Sequence, residues 1–172
     1  EKAKKIADEH GIAVIGPNCL GVLDSFSGVD TLFNPSYKLE RPRPGGISFI
    51  TQSGAVGTVV MDWAGAEGFG VSKFVSYGNA LNIDEIDLLG YLQKDESTKV
   101  ICMYLEGTRR GKEFIKAAKR VGCTKPIIGI KAGKTEQGAR AVASHTGSLA
   151  GSARVWEAAF RQAGVAEAAG IE

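Results

Sequence analysis

Ile47-Ser48-Phe49-Ile50-Thr51-Gln52-Ser53-Gly54-Ala55-Val56 is the stretch on which the fold turns. Its first five residues suit a strand. From Val56 the apolar positions change step, because Val56, Val59, Val60, Trp63 and Ala64 follow the i, i+3, i+4, i+7, i+8 spacing of a helix. The same alternation then continues downstream. Gly68 and Gly70 stop the helix, Val71 to Tyr77 reads as a second strand, and Asn82 with Glu85 three residues later predicts the capping box of a helix running to about Lys94. Val100-Ile101-Cys102-Met103-Tyr104-Leu105 is an unbroken apolar run, as a central parallel strand covered on both faces requires. A helix over Lys112 to Val121 follows, then a fourth strand over Pro126 to Ile130. Val155, Trp156, Ala159, Phe160 and Ala163 mark a last helix, and Gly164-Val165-Ala166 begins a fifth strand. Strands alternating with helices imply right-handed crossovers and an open, largely parallel sheet, an α/β flavodoxin-like architecture.

Upstream the pattern is different. Arg41-Pro42-Arg43-Pro44-Gly45-Gly46 has the composition of an extended linker. Lys2 to His10 reads as the last turns of a helix stopped at Gly11, which implies a preceding domain, and Ile12-Ala13-Val14-Ile15 reads as a short buried strand closed by Gly16-Pro17-Asn18. Ser25 to Leu39 shows no sustained period. The expected division is therefore a remnant over 1–40, a linker over 41–46 and the sheet domain over 47–172.

The 172 residues suffice for one ordinary domain plus a remnant, and 44% are hydrophobic. Lys and Arg total 21 against 19 Asp and Glu, so no strong field attracts nucleic acid or an anionic membrane. The three cysteines are odd in number and lack Cys-x-x-Cys spacing, which argues against a disulfide framework and a zinc site and favours a reducing, cytoplasmic setting. No apolar run approaches a membrane span or a signal peptide core, so neither membrane nor nucleic acid is an expected partner.

Ligands of open α/β sheets bind beyond the carboxyl ends of the strands. There the sequence offers Gln52-Ser53-Gly54-Ala55 after strand one, Gly78-Asn79 after strand two, Glu106-Gly107 after strand three, and the polar connection carrying His145 after strand four. Ser53, Gly54 and Ala55 at a helix start would offer backbone N–H groups to an anion such as phosphate, and they equally suit a tight turn with Ser53 as N-cap. Glu106 could orient an imidazole and stabilise its cation, or be a solvated strand end. His145, among Ala143, Ser144, Thr146, Gly147 and Ser148, is on no apolar face. It could be a nucleophile or acid/base toward a phosphoryl group, or belong to a surface loop. Gly129-Ile130-Lys131-Ala132-Gly133-Lys134-Thr135 has one residue too few between its glycines for a nucleotide P-loop.

Gly16-Pro17-Asn18-Cys19-Leu20-Gly21, Thr51-Gln52-Ser53-Gly54-Ala55, Tyr104-Leu105-Glu106-Gly107, Lys125-Pro126 to Gly133-Lys134-Thr135 and Ser144-His145-Thr146-Gly147-Ser148-Leu149-Ala150-Gly151 occur in one order along the chain. In that order they resemble the ADP-forming acetyl-CoA synthetases and, more distantly, the alpha subunit of succinyl-CoA synthetase. The resemblance implies that residues 1 to about 40 are the tail of a Rossmann-like CoA-binding domain and that the rest is a succinyl-CoA-synthetase-type flavodoxin domain. It implies an acid-thiol ligase that interconverts acyl-CoA, ADP and phosphate with acid, CoA and ATP through a phosphohistidine. His145 matches that histidine, Glu106 the glutamate that orients it, and Ser53, Gly54 and Ala55 the helix start that holds phosphate. Asn18, Cys19 and Asn79 are placed near the acyl substrate, a small carboxylic acid. CoA is then bound mostly by the absent part of the Rossmann-like domain, and ATP or ADP with Mg²⁺ by an ATP-grasp domain or beta subunit. The full enzyme would be oligomeric and this stretch alone inactive. The alternative is a non-catalytic acyl-CoA-binding module that regulates a protein lysine acetyltransferase.

Overall fold

The computed structural model describes residues 2–133 and 153–170. Seven strands form one sheet: β1 (Gly21–Asp24), β2 (Val29–Asp30), β3 (Pro44–Thr51), β4 (Val71–Ser76), β5 (Val100–Leu105), β6 (Ile127–Lys131) and β7 (Ala166–Glu167). The helices are α1 (Lys2–Glu9), α2 (Gly54–Ala66), α3 (Glu85–Lys94), α4 (Gly111–Gly122) and α5 (Ala153–Ala163). The strand order is β2-β1-β4-β3-β5-β6-β7. The five strands from β3 onward are parallel to one another, and numbered from β3 they run 2-1-3-4-5, the flavodoxin-like winding.

Alternation along β3 sends its side chains to both faces. Ile50 enters one core with Val75, Leu89, Leu105, Phe114, Trp156 and Phe160, drawn from α3, α4, α5 and the sheet. Phe49 enters the other, with Phe74, Met61 and Ala64 of the sheet and α2, and with Leu20, Leu23, Leu32 and Leu39 from upstream. The upstream segment is thus a structural layer of the sheet domain. Phe49 and Phe74 stack with centroids 6.1 Å apart, and Phe114, Trp156 and Phe160 form a triangle of tilted and edge contacts.

Several expectations are corrected. β1 and β2 form a hairpin added antiparallel to β4, so the sheet is mixed. Residues 12–15 form no strand; Ile12 and Ile15 are exposed, and the segment is held instead by Asn82, whose side chain accepts from Val14 N–H and donates to the Ile12 carbonyl and to Asp8. Asn82 therefore does not cap α3. Asp84 does, accepting from the Ile86 and Asp87 amides while Asp87 accepts from the Asp84 amide, a capping box two residues later than expected. The linker expected over 41–46 is cut short, because Pro44–Gly46 already belongs to β3 and Arg41 is tied to Asp30 and to the Leu39 and Asn34 carbonyls. A Cβ at Gly45 would lie 2.3 Å from the Gly70 Cα, so only glycine permits this approach of the strand entries. β7 also begins later than expected, at Ala166.

At the amino edge of the sheet the Lys73 ammonium is buried between Asp24 of β1 (3.1 Å) and Asp95 after α3 (3.3 Å), with Ser97 at 2.9 Å. Burial by itself disfavours both carboxylates. For Asp95 it is outweighed by hydrogen bonds from Thr98, Ser97 and Lys73, and for Asp24 by those from Phe26, Ser27 and Lys73, which hold both acids below the ordinary carboxylate range. Their folded pKa values are depressed, so their contribution is complete above the unfolded value near 3.8 and is lost as pH falls through the folded values. Lys73→Met should lower unfolding free energy by about 1–3 kcal/mol, because two half-buried carboxylates lose their cation and a shared hydrogen-bond donor. Urea unfolding between pH 7 and 2 checks this, and the variant should also show a shallower loss of stability with acid than the parent.

Candidate functional site at the carboxyl edge

The winding direction reverses between β3 and β5, which opens a crevice beyond their carboxyl ends. The two loops that leave these strands are tied together there. Gln52 Oε1 accepts from the Glu106 and Gly107 amides, at 2.5 and 3.0 Å, and Gln52 N–H donates to the Tyr104 carbonyl. One side chain therefore fixes where the backbone carrying Glu106 sits relative to the start of α2. Gln52 lies inside the Thr51 to Ala55 motif, where the residue pattern alone assigns it no role of its own. Its place directly after the first strand of the winding was the signal.

Ser53 is the N-cap of α2, with Oγ accepting from the Val56 amide at 3.3 Å, while its own N–H is held by Thr51 Oγ1 at 3.0 Å. The tight-turn reading of Ser53 thus holds. It does not displace the anion reading, because the Gly54 and Ala55 amides precede the first ladder bond, Gly57 N–H to the Ser53 carbonyl, and so lie among the outward donors of a helix start. α2 is 13 residues long, so a full helix dipole stands behind them.

Glu106 is only 7% exposed, which removes the solvated strand-end reading. Its charge reaches two phenols: Tyr104, raised by burial and then by Glu106, and Tyr77, raised well above the ordinary range by burial first and then mainly by Glu85.

A second pair of loops closes the crevice from the β4 side. Asn79 N–H donates to the Pro17 carbonyl and Leu81 N–H to the Gly16 carbonyl, both within 2.9 Å. Gly78 has φ +51, and a Cβ there would meet the Asn18 carbonyl oxygen at 2.2 Å, so the position excludes any side chain. Asn18 at φ 55 and Ala80 at φ 49 hold left-handed backbone that such residues seldom adopt. The turn brings Asn18 Nδ2 to 3.5 Å from Asn79 Oδ1, and Leu20 beside Gly54. Cys19 is half-buried, with Sγ 3.9 Å from the Ile15 carbonyl. Asn18 and Asn79 are therefore brought together, and Cys19 stands beside them.

His145 and its neighbours lie outside the described residues, as do Lys134 and Thr135. The described part of the rejected P-loop stretch supports that rejection, since Gly129 to Lys131 are strand. Lys131 is 3% exposed, with its ammonium 5.5 Å over the Trp156 ring and donating to the Ala132 carbonyl. Tyr77 and Glu85, in the sequence only a strand end and an expected capping-box member, are both buried at this edge.

Comparison with known proteins gives this geometry a lineage. The chain is 45% identical over 168 residues to an acetate–CoA ligase [ADP-forming] I of Archaeoglobus fulgidus, which covers 98% of this chain and 24% of that protein. It is 44% identical over 175 residues to the acetate–CoA ligase [ADP-forming] I subunit alpha of Pyrococcus furiosus, covering 98% of this chain and 37% of the subunit. Among solved structures it superposes on the Ca. Korarchaeum cryptofilum dinucleotide forming acetyl-coenzyme A synthetase 1, solved with phosphate and ADP, with TM-score 0.89 and 43% identity over 99% of this chain and 37% of that one. The chain thus spans between a quarter and somewhat over a third of these relatives. Residues 44–172 match the family described as the succinyl-CoA ligase like flavodoxin domain. With the 2-1-3-4-5 winding and the crevice between β3 and β5 already in place, the chain belongs to the succinyl-CoA-ligase-like flavodoxin domain family.

Proposed function

We propose that this chain is the phosphoryl-transfer part of a nucleoside-diphosphate-forming acyl-CoA synthetase. The observation that carries the reading is the Gln52 tie, which joins the start of α2 to the backbone of Glu106 across the crevice between β3 and β5. A helix start suited to phosphate and a buried carboxylate suited to an imidazolium are what a phosphohistidine needs within one site. Relatives that are ADP-forming ligases, and a similar structure that holds phosphate and ADP, support the same reading.

In this mechanism phosphate attacks the thioester carbonyl of an acyl-CoA, giving acyl phosphate and CoA. A neutral nitrogen of His145 then attacks phosphorus, the P–O bond to the acyl group breaks, and the carboxylate leaves. The phosphoryl group finally passes to ADP, which regenerates His145. The Gly54 and Ala55 amides with Ser53 hold the phosphoryl oxygens, and Glu106 accepts from the other ring nitrogen and offsets the charge that develops. Asn18 and Asn79, with Cys19 beside them, line the acyl side. Residues 1–40 are, on this reading, the tail of a CoA-binding domain, which is supported by the family match beginning at residue 44 and by the exposed Ile6, Phe33 and Tyr37. ADP and Mg²⁺ belong to an ATP-grasp domain or beta subunit of an oligomeric, cytoplasmic enzyme; among the described residues no helix is long and apolar enough to cross a membrane.

Incubating the intact enzyme with labelled ATP and Mg²⁺ should place an acid-labile phosphate on His145, and His145→Ala should abolish both label and acyl-CoA formation. Substantial turnover by His145→Ala would overturn phosphohistidine transfer and favour the binding module. Glu106→Gln should slow labelling by roughly 10²-fold, the usual scale for losing acid/base assistance. Gln52→Ala leaves the Glu106 and Gly107 amides without their acceptor and should slow labelling while costing about 1–3 kcal/mol of stability, measured by denaturant unfolding.

A further inference from the structure

The chain that leads into Asn18 and Cys19 has no helix or strand of its own to hold it. Residues 12–15 form no strand, and Asn18 lies in left-handed backbone at φ 55. Its support comes from the loop after β4. Asn79 N–H donates to the Pro17 carbonyl and Leu81 N–H to the Gly16 carbonyl, and both act at the turn itself. Upstream of the turn a single side chain takes over. Asn82 accepts from Val14 N–H at 2.9 Å and donates to the Ile12 carbonyl at 2.9 Å and to Asp8 at 3.0 Å. Its oxygen and its amide nitrogen are both engaged, and all three partners lie upstream, so the side chain serves that segment and not α3. Among the described residues, Asn82 makes every hydrogen bond that joins residues 11–15 to the sheet domain.

The loop that presents Asn82 is fixed at both ends. A Cβ at Gly78 would meet the Asn18 carbonyl oxygen at 2.2 Å, and Ala80 N–H returns to the Tyr77 carbonyl at 3.1 Å. Two residues beyond Asn82, Asp84 caps α3 and receives the Arg110 guanidinium at 2.7, 2.8 and 3.0 Å. The irregular segment therefore conforms to the loop, and the loop does not conform to it. We propose that Asn82 is a positioning residue for the acyl side of the site: it sets the path of residues 12–16 and so the place where Asn18 and Cys19 meet Asn79. The inference rests on the reading of those three residues as the acyl wall. Asn18 Nδ2 stands 3.5 Å from Asn79 Oδ1, too long a contact to place the turn by itself. The phosphoryl side is built from other bonds, those of Gln52 to the Glu106 and Gly107 amides and of Ser53 within α2. Removing Asn82 should therefore separate the two halves of the reaction.

The test compares the intact enzyme with Asn82→Ala and with Asp8→Ala, an exposed position whose loss removes one of the three bonds. His145 labelling from ATP, which needs no acyl group, should stay within about twofold of the parent in both. In acyl-CoA formation, run with short carboxylic acids beginning with acetate, the KM for acid should rise about tenfold in Asn82→Ala and about threefold in Asp8→Ala, with kcat within about twofold. A fold loosened throughout would lower labelling and kcat together. That pattern overturns the proposal, as does a parent KM in both variants. A second readout needs no chemistry: amide hydrogen exchange over residues 12–19 should be about tenfold faster in Asn82→Ala, with β3 and β5 unchanged. Parent-like exchange over 12–19 overturns the positioning role whatever the KM does. Absent labelling and absent acyl-CoA formation in the parent enzyme overturn the synthetase reading instead, and the exchange result then decides the role of Asn82.

Discussion

Strand β3 is hydrogen-bonded along both edges, to β5 in one continuous register from Ile47 to Thr51 and to β4 with register shifts before Phe49 and an even register from Phe49 to Thr51. Thr51 stands opposite Ser76 and Tyr104, so the three strands reach the carboxyl edge together. A slip of one residue would exchange the faces of Phe49 and Ile50 and empty both cores at once. That constraint places the turns after β3, β4 and β5 side by side, and Gln52, Tyr77 and Glu106 are neighbours for that reason. The site is a consequence of register before it is a consequence of any polar contact.

The two ends of the sheet use buried charge differently. At the amino edge Lys73 is enclosed by two aspartates and the hydroxyls of Ser72 and Ser97, and Thr98 donates to Asp95 beside them. The network joins β1, β4 and the turn after α3, which holds the added hairpin on the sheet. At the carboxyl edge Glu85 and Glu106 are both buried, and so is the Tyr77 phenol beside Glu85.

The upstream segment shows how a stretch with little pattern of its own becomes structural. Leu20, Leu23, Leu32 and Leu39 complete the core beneath α2, and the turn at Gly16 to Leu20 closes on Gly78 and Asn79. The apolar spacing there has neither a helical nor a strand period, since those leucines come from a hairpin and irregular chain. The left-handed backbone at Asn18 of this segment, and at Ala80 of the loop after β4, is held by the bonds from Asn79 and Leu81 N–H to the Pro17 and Gly16 carbonyls.

The amino-acid sequence by itself determined the order of strands and helices from residue 47 onward, the central place of Val100–Leu105, and the loops in which Ser53, Glu106, Asn18 and Asn79 are found. Those are local matters: apolar periodicity and glycine punctuation act over ten residues or fewer. Only the tertiary structure decided that Asn82 anchors residues 8–14 and leaves the capping to Asp84, because its partners are about 70 positions away. The β1–β2 hairpin was hidden for a related reason, since β2 has two residues and β1 is held by pairing with β4 more than by any pattern of its own. Tyr77 and Glu85 gave no signal either. A tyrosine at a strand end and a glutamate at a helix start are ordinary on a surface, and what makes them polar groups at a site is burial, which sums contributions from β4, β5 and α3 that no single segment of sequence contains.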